Sequence, residues 1–186
     1  MLRPAVVTLT LVSLAPLSCS ATAQSEEAKS LFQTHFAGVQ DGAPCYARSY
    51  DAAHLKAYPA QRVAKIEIDM AKKNPDGTPI TEDFIQLGFG LQLKSSPEWY
   101  GNVANCKSAG AQIDCFLEAD GGKFTLSAAE GGALKLETGS YGLAFEGAKD
   151  AIELPGDKGD DRVFILSPAP RAECEAATAD VLKMDE

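Results

Sequence analysis

The sequence has little histidine, no closely spaced cysteine pair, fewer basic than acidic residues and, beyond its N-terminus, no long apolar run. Each shortage excludes something. Seventeen Lys and Arg stand against 26 Asp and Glu, for a net charge of −9. Such a surface repels phosphate backbones and anionic lipid headgroups, so nucleic acid is excluded as a partner. No stretch approaches the roughly 20 apolar residues that a bilayer-spanning helix needs, and no transmembrane segment is expected. Without a CxxC pair the chain lacks the usual spacing of a zinc site. Gly139-Ser140-Tyr141-Gly142 lacks the Gly-x-Ser-x-Gly spacing of a nucleophile elbow. The only histidines, His35 and His54, therefore have no positioned serine to activate, and a structural role is expected for both. Gly88-Phe89-Gly90 has no third glycine and no following helix, so it reads as strand rather than as a dinucleotide fingerprint. No repeat of constant period is visible.

What is present is the composition of one globular domain behind a leader. Hydrophobic residues make up 45% and charged residues 23% of 186 positions, an ordinary balance for a chain with a packed core. Residues 1–23, MLRPAVVTLTLVSLAPLSCSATA, combine Arg3, an apolar run and Ala21-Thr22-Ala23, the small-x-small pattern of a signal-peptidase site. A signal peptide over 1–23 and a single β-rich domain over 24–186 are expected, with Gln24 as the new N-terminus and a periplasmic or secreted location. Pro16-Leu17-Ser18 fits a lipoprotein signal at Cys19 poorly.

Four cysteines remain after the leader, an even number in an exported chain, and two disulfides with three possible connectivities follow. Gly110-Ala111 supplies a two-residue type II′ turn, and reflection about that turn sets Cys106 directly opposite Cys115. Cys45 is then left to pair with Cys174. With all four engaged, none is available as a nucleophile.

Between residues 45 and 166 runs of apolar alternation are separated by turn clusters such as NPDGTP, ADGG, EGG, TGS and PGDKGDD, the pattern of an antiparallel β-domain. Ten runs can be counted, ALKLE and YGLAFE separately. The expected fold is mainly β: a strongly coiled antiparallel sheet or up-and-down barrel of about eight to ten strands, a calycin-like form being one option, with short N-terminal and C-terminal helices. Alternation points Ile66, Ile68 and Met70 inward and Lys65, Glu67 and Asp69 outward. It likewise groups Ile85, Leu87, Phe89, Leu91 and Leu93 on one face, with Gly88 and Gly90 opposite, where paired glycines relieve crowding in a bent sheet. Cys106 facing inward carries Tyr100 and Ala104 with it and leaves Trp99 and Val103 outside; a bulge near Gly101 is expected to resolve that conflict. Ser25 is the expected cap of a first helix through Ala28, Leu31, Phe32, His35 and Phe36, Asp51 that of a short second one. Pro170 opens a closing helix with Cys174, Ala177 and Val181 at helical spacing.

No residue is nominated as catalytic, cofactor-binding or metal-binding, and no cofactor is expected. The loop Asp157-Lys158-Gly159-Asp160-Asp161, with Asp150 and Glu153 upstream, lacks EF-hand spacing and reads as a solvated turn. Tyr46, Tyr50, Phe89, Trp99, Tyr100, Phe116, Phe124, Phe145 and Phe164 are expected to fill the core, the alternative being a ligand cavity. CYARSYDAAHL (45–55), CFLEADGG (115–122) and DDRVF (160–164) resemble segments of a family of conserved exported alphaproteobacterial proteins with no assigned activity. That resemblance implies export and a β-rich fold; it supplies no substrate, cofactor or catalytic residue. The expected function is a non-enzymatic extracytoplasmic binding or interaction domain, its partner a small apolar ligand or an extracytoplasmic protein. The alternatives are a hydrolase with a carboxylate-based active site and a protein inhibitor acting through the 155–161 loop.

Overall fold

The computed structural model describes residues 29–37, 45–71, 73 and 77–177; the leader, Cys19, Gln24, Ser25, Ala28 and Val181 lie outside them. Nine strands form one antiparallel sheet: β1 (Cys45–Ser49), β2 (Val63–Met70), β3 (Ile85–Leu93), β4 (Trp99–Ala109), β5 (Gln112–Leu117), β6 (Gly122–Ala128), β7 (Leu134–Gly147), β8 (Ala151–Leu154) and β9 (Val163–Ala169). Strands β1 to β7 pair as sequential neighbours. Strand β9 then inserts between β7 and β1 and closes an eight-stranded up-and-down barrel. The ninth strand, β8, is an extra ribbon on the far half of β7. Closure removes the exposed edges that an open sheet of this length would carry.

The interior is a packed core. Ile85, Leu87, Phe89 and Leu91 of β3 are fully buried, as are Leu126, Leu134, Leu136 and Leu166. Phe89 lies edge-on to Phe124 and Phe145, with ring centroids 5.4 and 4.8 Å away. Most of the aromatics named above thus fill the barrel, but Phe116 is 53% exposed and Trp99 lies on the outer face beside Lys65 and Glu67. One end is plugged by α1 (Leu31–His35), whose Leu31 and Phe32, with the following Phe36, join the core. Its cap is Ser30, not Ser25. Ser30 is extended and forms a capping box with Gln33, which fixes the helix start. The second helix, α2 (Ala52–Ala57), is capped by Asp51 as expected.

Three further corrections follow, two in the strands and one in a loop. The runs ALKLE and YGLAFE are one strand, β7, bent at Gly139–Gly142, so ten runs give nine strands. Gly142 has φ +79°, and a Cβ there would collide with the Leu154 carbonyl, so only glycine lets β8 cross this closely. The Gly101 bulge is absent. The β3–β4 register runs unbroken from Ile85↔Cys106 to Gln92↔Trp99 and brings Tyr100, Asn102 and Ala104 to the inner face. Asn102 is accommodated there because its Nδ2 donates to the Ala144 carbonyl. Finally, the acidic loop is not wholly solvated. Asp161 is 2% exposed and accepts the backbone N–H groups of Arg62 (2.7 Å) and Val63 (3.1 Å), tying the loop to the start of β2.

Both disulfides are present, Cys45–Cys174 and Cys106–Cys115. Ala109↔Gln112 closes the β4–β5 hairpin, and positive φ falls on Gly110 but not on Ala111, which selects type II′. Cys174 ends a 3₁₀ turn (Arg171–Cys174) that continues helically to Ala177 and crosses the outer face of β1 and β2.

Candidate functional site

That crossing segment overturns the expectation that Glu67 and Asp69 face solvent: they are 3% and 2% exposed. Asp69 Oδ2 pairs with Arg171 Nη2 at 3.0 Å, and Glu67 Oε1 accepts the Ala177 N–H at 2.7 Å. The neighbouring Gly90 leaves room for this tail, since a Cβ there would come within 3.1 Å of Ala177 N. Beside the tail is a polar groove of about 260 Å³ lined by Lys65, Glu67, Trp99, Glu173 and Glu175. The two buried carboxylates, Glu67 and Asp69, tie this segment to the barrel wall. Burial pushes the Glu67 carboxyl up to about 7, with Asp69 and Glu175 adding to the rise against the helical amides.

A carboxyl whose pKa is higher folded than unfolded is stabilising below its ordinary value near 4.5, and that contribution is lost as pH climbs through 7. Glu67→Gln keeps the acceptor for Ala177 and removes the charge. The variant is expected to be more stable than the parent at pH 8 by about 1–2 kcal/mol, allowing for solvent screening. The gain should vanish near pH 4.5. Urea titrations from pH 4.5 to 8 check this; stability curves that stay parallel across the range would refute it.

Both histidines make local contacts. His54 Nε2 is 3.0 Å from Gln61 Oε1, with its ring between Tyr50 and Tyr58. His35 Nδ1 lies 2.8 Å from Thr34 Oγ1. Among the described residues no group of three or more His, Cys, Asp or Glu side chains is placed to hold a metal ion.

The more open feature lies on the outer face of β4–β6. Cys106 and Cys115 point inward, so strand alternation turns Asn105, Lys107, Asp114 and Phe116 outward. Phe84, just before β3, is 40% exposed on the same side. Together they line a groove of about 490 Å³ whose floor is the disulfide-bridged β4–β5 ribbon. A second cavity of about 530 Å³ adjoins it, lined by Thr125, Glu137, Thr138 and Gly139; Asp114, Cys115 and Lys123 belong to both. Across the strands Phe116 is registered with Asn105 on one side and Lys123 on the other, while Asp114 sits between Lys107 and Thr125. Sequence reading missed Phe84, Asp114 and Lys123 and assigned Phe116 to the core. The alternation Ile113, Cys115, Leu117 already placed Phe116 on the opposite face.

The fold and this surface define a small closed antiparallel barrel with a filled interior and its accessible apolar surface outside. The chain matches no protein-family model, no curated protein and no solved structure.

Proposed function

We propose that this protein is an exported, non-catalytic barrel that binds a small molecule with an apolar body in the outer groove between Phe84 and Phe116. The observation that carries the reading is the pair of exposed aromatic rings, Phe116 on the disulfide-bridged β4–β5 ribbon and Phe84 beside it. Exposed aromatics gathered around a concavity favour ligand contact over chance exposure, and about 490 Å³ falls within the range of small-molecule sites. The filled barrel argues against an internal site. Export is supported by the leader-like residues 1–23, by two disulfides, which suit an oxidising compartment, and by the resemblance to exported alphaproteobacterial proteins. Among the described residues no helix is long and apolar enough to cross a membrane.

Titration with the neutral fluorophore N-phenyl-1-naphthylamine tests the reading. Saturable binding is expected, weakened about tenfold or more by Phe116→Ser, the loss that follows from removing one apolar contact surface. The unfolding midpoint should hardly move, because half of the ring is already in water. Absence of saturable binding, or binding indifferent to Phe116→Ser, would refute the proposal.

A further inference from the structure

We infer that the ligand of this groove is a zwitterion, a small molecule with an ammonium and a carboxylate beside an apolar side chain, as in a free amino acid or short peptide. This rests on the groove reading above and supplies the polar end of the ligand. Four charged side chains line the first cavity, and Glu137 adds a fifth in the second. Lys107 is engaged by Asp83 at 3.3 Å, and Glu137 is engaged by Lys135. Lys123 and Asp114 have no ion pair or side-chain hydrogen bond among the described residues. They are also the two charged residues that the cavities share.

Their placement is fixed by register. Lys123 stands directly across from Phe116, and Asp114 lies two residues before Phe116 on the same strand face. One free cation and one free anion thus flank the most exposed ring of the groove, a diagonal of roughly 7–8 Å between backbone positions that two flexible side chains readily narrow. A simple anion would be met by Lys123 and repelled by Asp114; a simple cation would meet the reverse. A molecule carrying both charges satisfies both side chains while its apolar group lies on Phe116 and Phe84.

Calorimetric titration of the purified protein with L-phenylalanine, 3-phenylpropanoate and phenethylamine tests this, with the neutral fluorophore as control. Phenylalanine is expected to bind about three- to tenfold more tightly than either single-charge analogue, the scale of one exposed charge-assisted contact. Lys123→Gln should remove the advantage over phenethylamine, and Asp114→Asn the advantage over phenylpropanoate. Each effect is read as a ratio of affinities within one variant, so that a general change in the groove cancels. Equal affinities for the three ligands, or losses that do not divide by charge, overturn the inference while leaving the groove reading intact. Failure of the fluorophore itself to bind overturns both.

Discussion

Replacing Cys45 and Cys174 together by serine is expected to lower stability by about 5 kcal/mol, the chain-entropy value for a cross-link spanning 129 residues. The same treatment of Cys106 and Cys115, which close a loop of nine, should lower it by about 3 kcal/mol. The larger loss is comparable with the whole stability of many single domains, so the Cys45/Cys174 variant should unfold at very low urea or lack a cooperative transition. The effect is not confined to the unfolded chain. Cys174 holds the segment that covers Glu67 and Asp69, and freeing it exposes the outer face of β1 and β2 as well. Urea titrations of both double variants against the parent, followed by far-UV dichroism, measure the two losses. A Cys45/Cys174 variant within about 1 kcal/mol of the parent would show that the barrel closes without the bridge.

The second large effect is expected at the centre of the barrel. Phe89→Ala should destabilise the protein by about 3–5 kcal/mol, the range for emptying a buried aromatic site. Phe89 has no exposed surface, and its neighbours are strand-borne rings, Phe124 and Phe145, anchored on the adjacent strands β6 and β7. A closed barrel relaxes poorly around a void, which places the change toward the upper part of that range. Phe89→Leu, which keeps most of the apolar volume, should be clearly milder. If the alanine variant lost less than about 1 kcal/mol in denaturant titrations, the packed-core description would be wrong.

How much of this could be read from the residues follows from what strand alternation reports. Period-two patterning in β2, β3, β5 and β6 marks the inner face because a filled barrel demands it, and the inward sets around Ile66, Phe89, Ile113 and Leu126 follow. Turn chemistry at Gly110-Ala111 carried the hairpin and one disulfide, and elimination carried the other. Alternation is silent about what covers the opposite face. Glu67 and Asp69 have the composition of a solvent face and lie beneath a segment that arrives from more than a hundred residues away. Gln86, outward in β3, is likewise buried, at 3% exposure. Strand β7 was obscured because Gly139, Ser140 and Gly142 look like a turn, whereas a bent strand uses the same residues to let another backbone approach. The groove has no local signature at all. Phe84, Asp114, Phe116 and Lys123 become neighbours only through cross-strand register, and four ordinary surface residues carry no mark of that in linear order.

The two bridges are nested, with the Cys106–Cys115 loop lying wholly inside the span that Cys45–Cys174 closes. Joined in chain order, the four bridged cysteines would give Cys45–Cys106 and Cys115–Cys174, and neither link exists in the fold. The inner bridge needs only the local β4–β5 hairpin, whose formation is an event on the scale of about 1–10 μs. Cys45 must then wait until β9 has slotted between β7 and β1, because that insertion brings the segment bearing Cys174 across the barrel wall. The outer bridge therefore acts as a receipt for ring closure: its geometry requires that β9 already lie between β7 and β1.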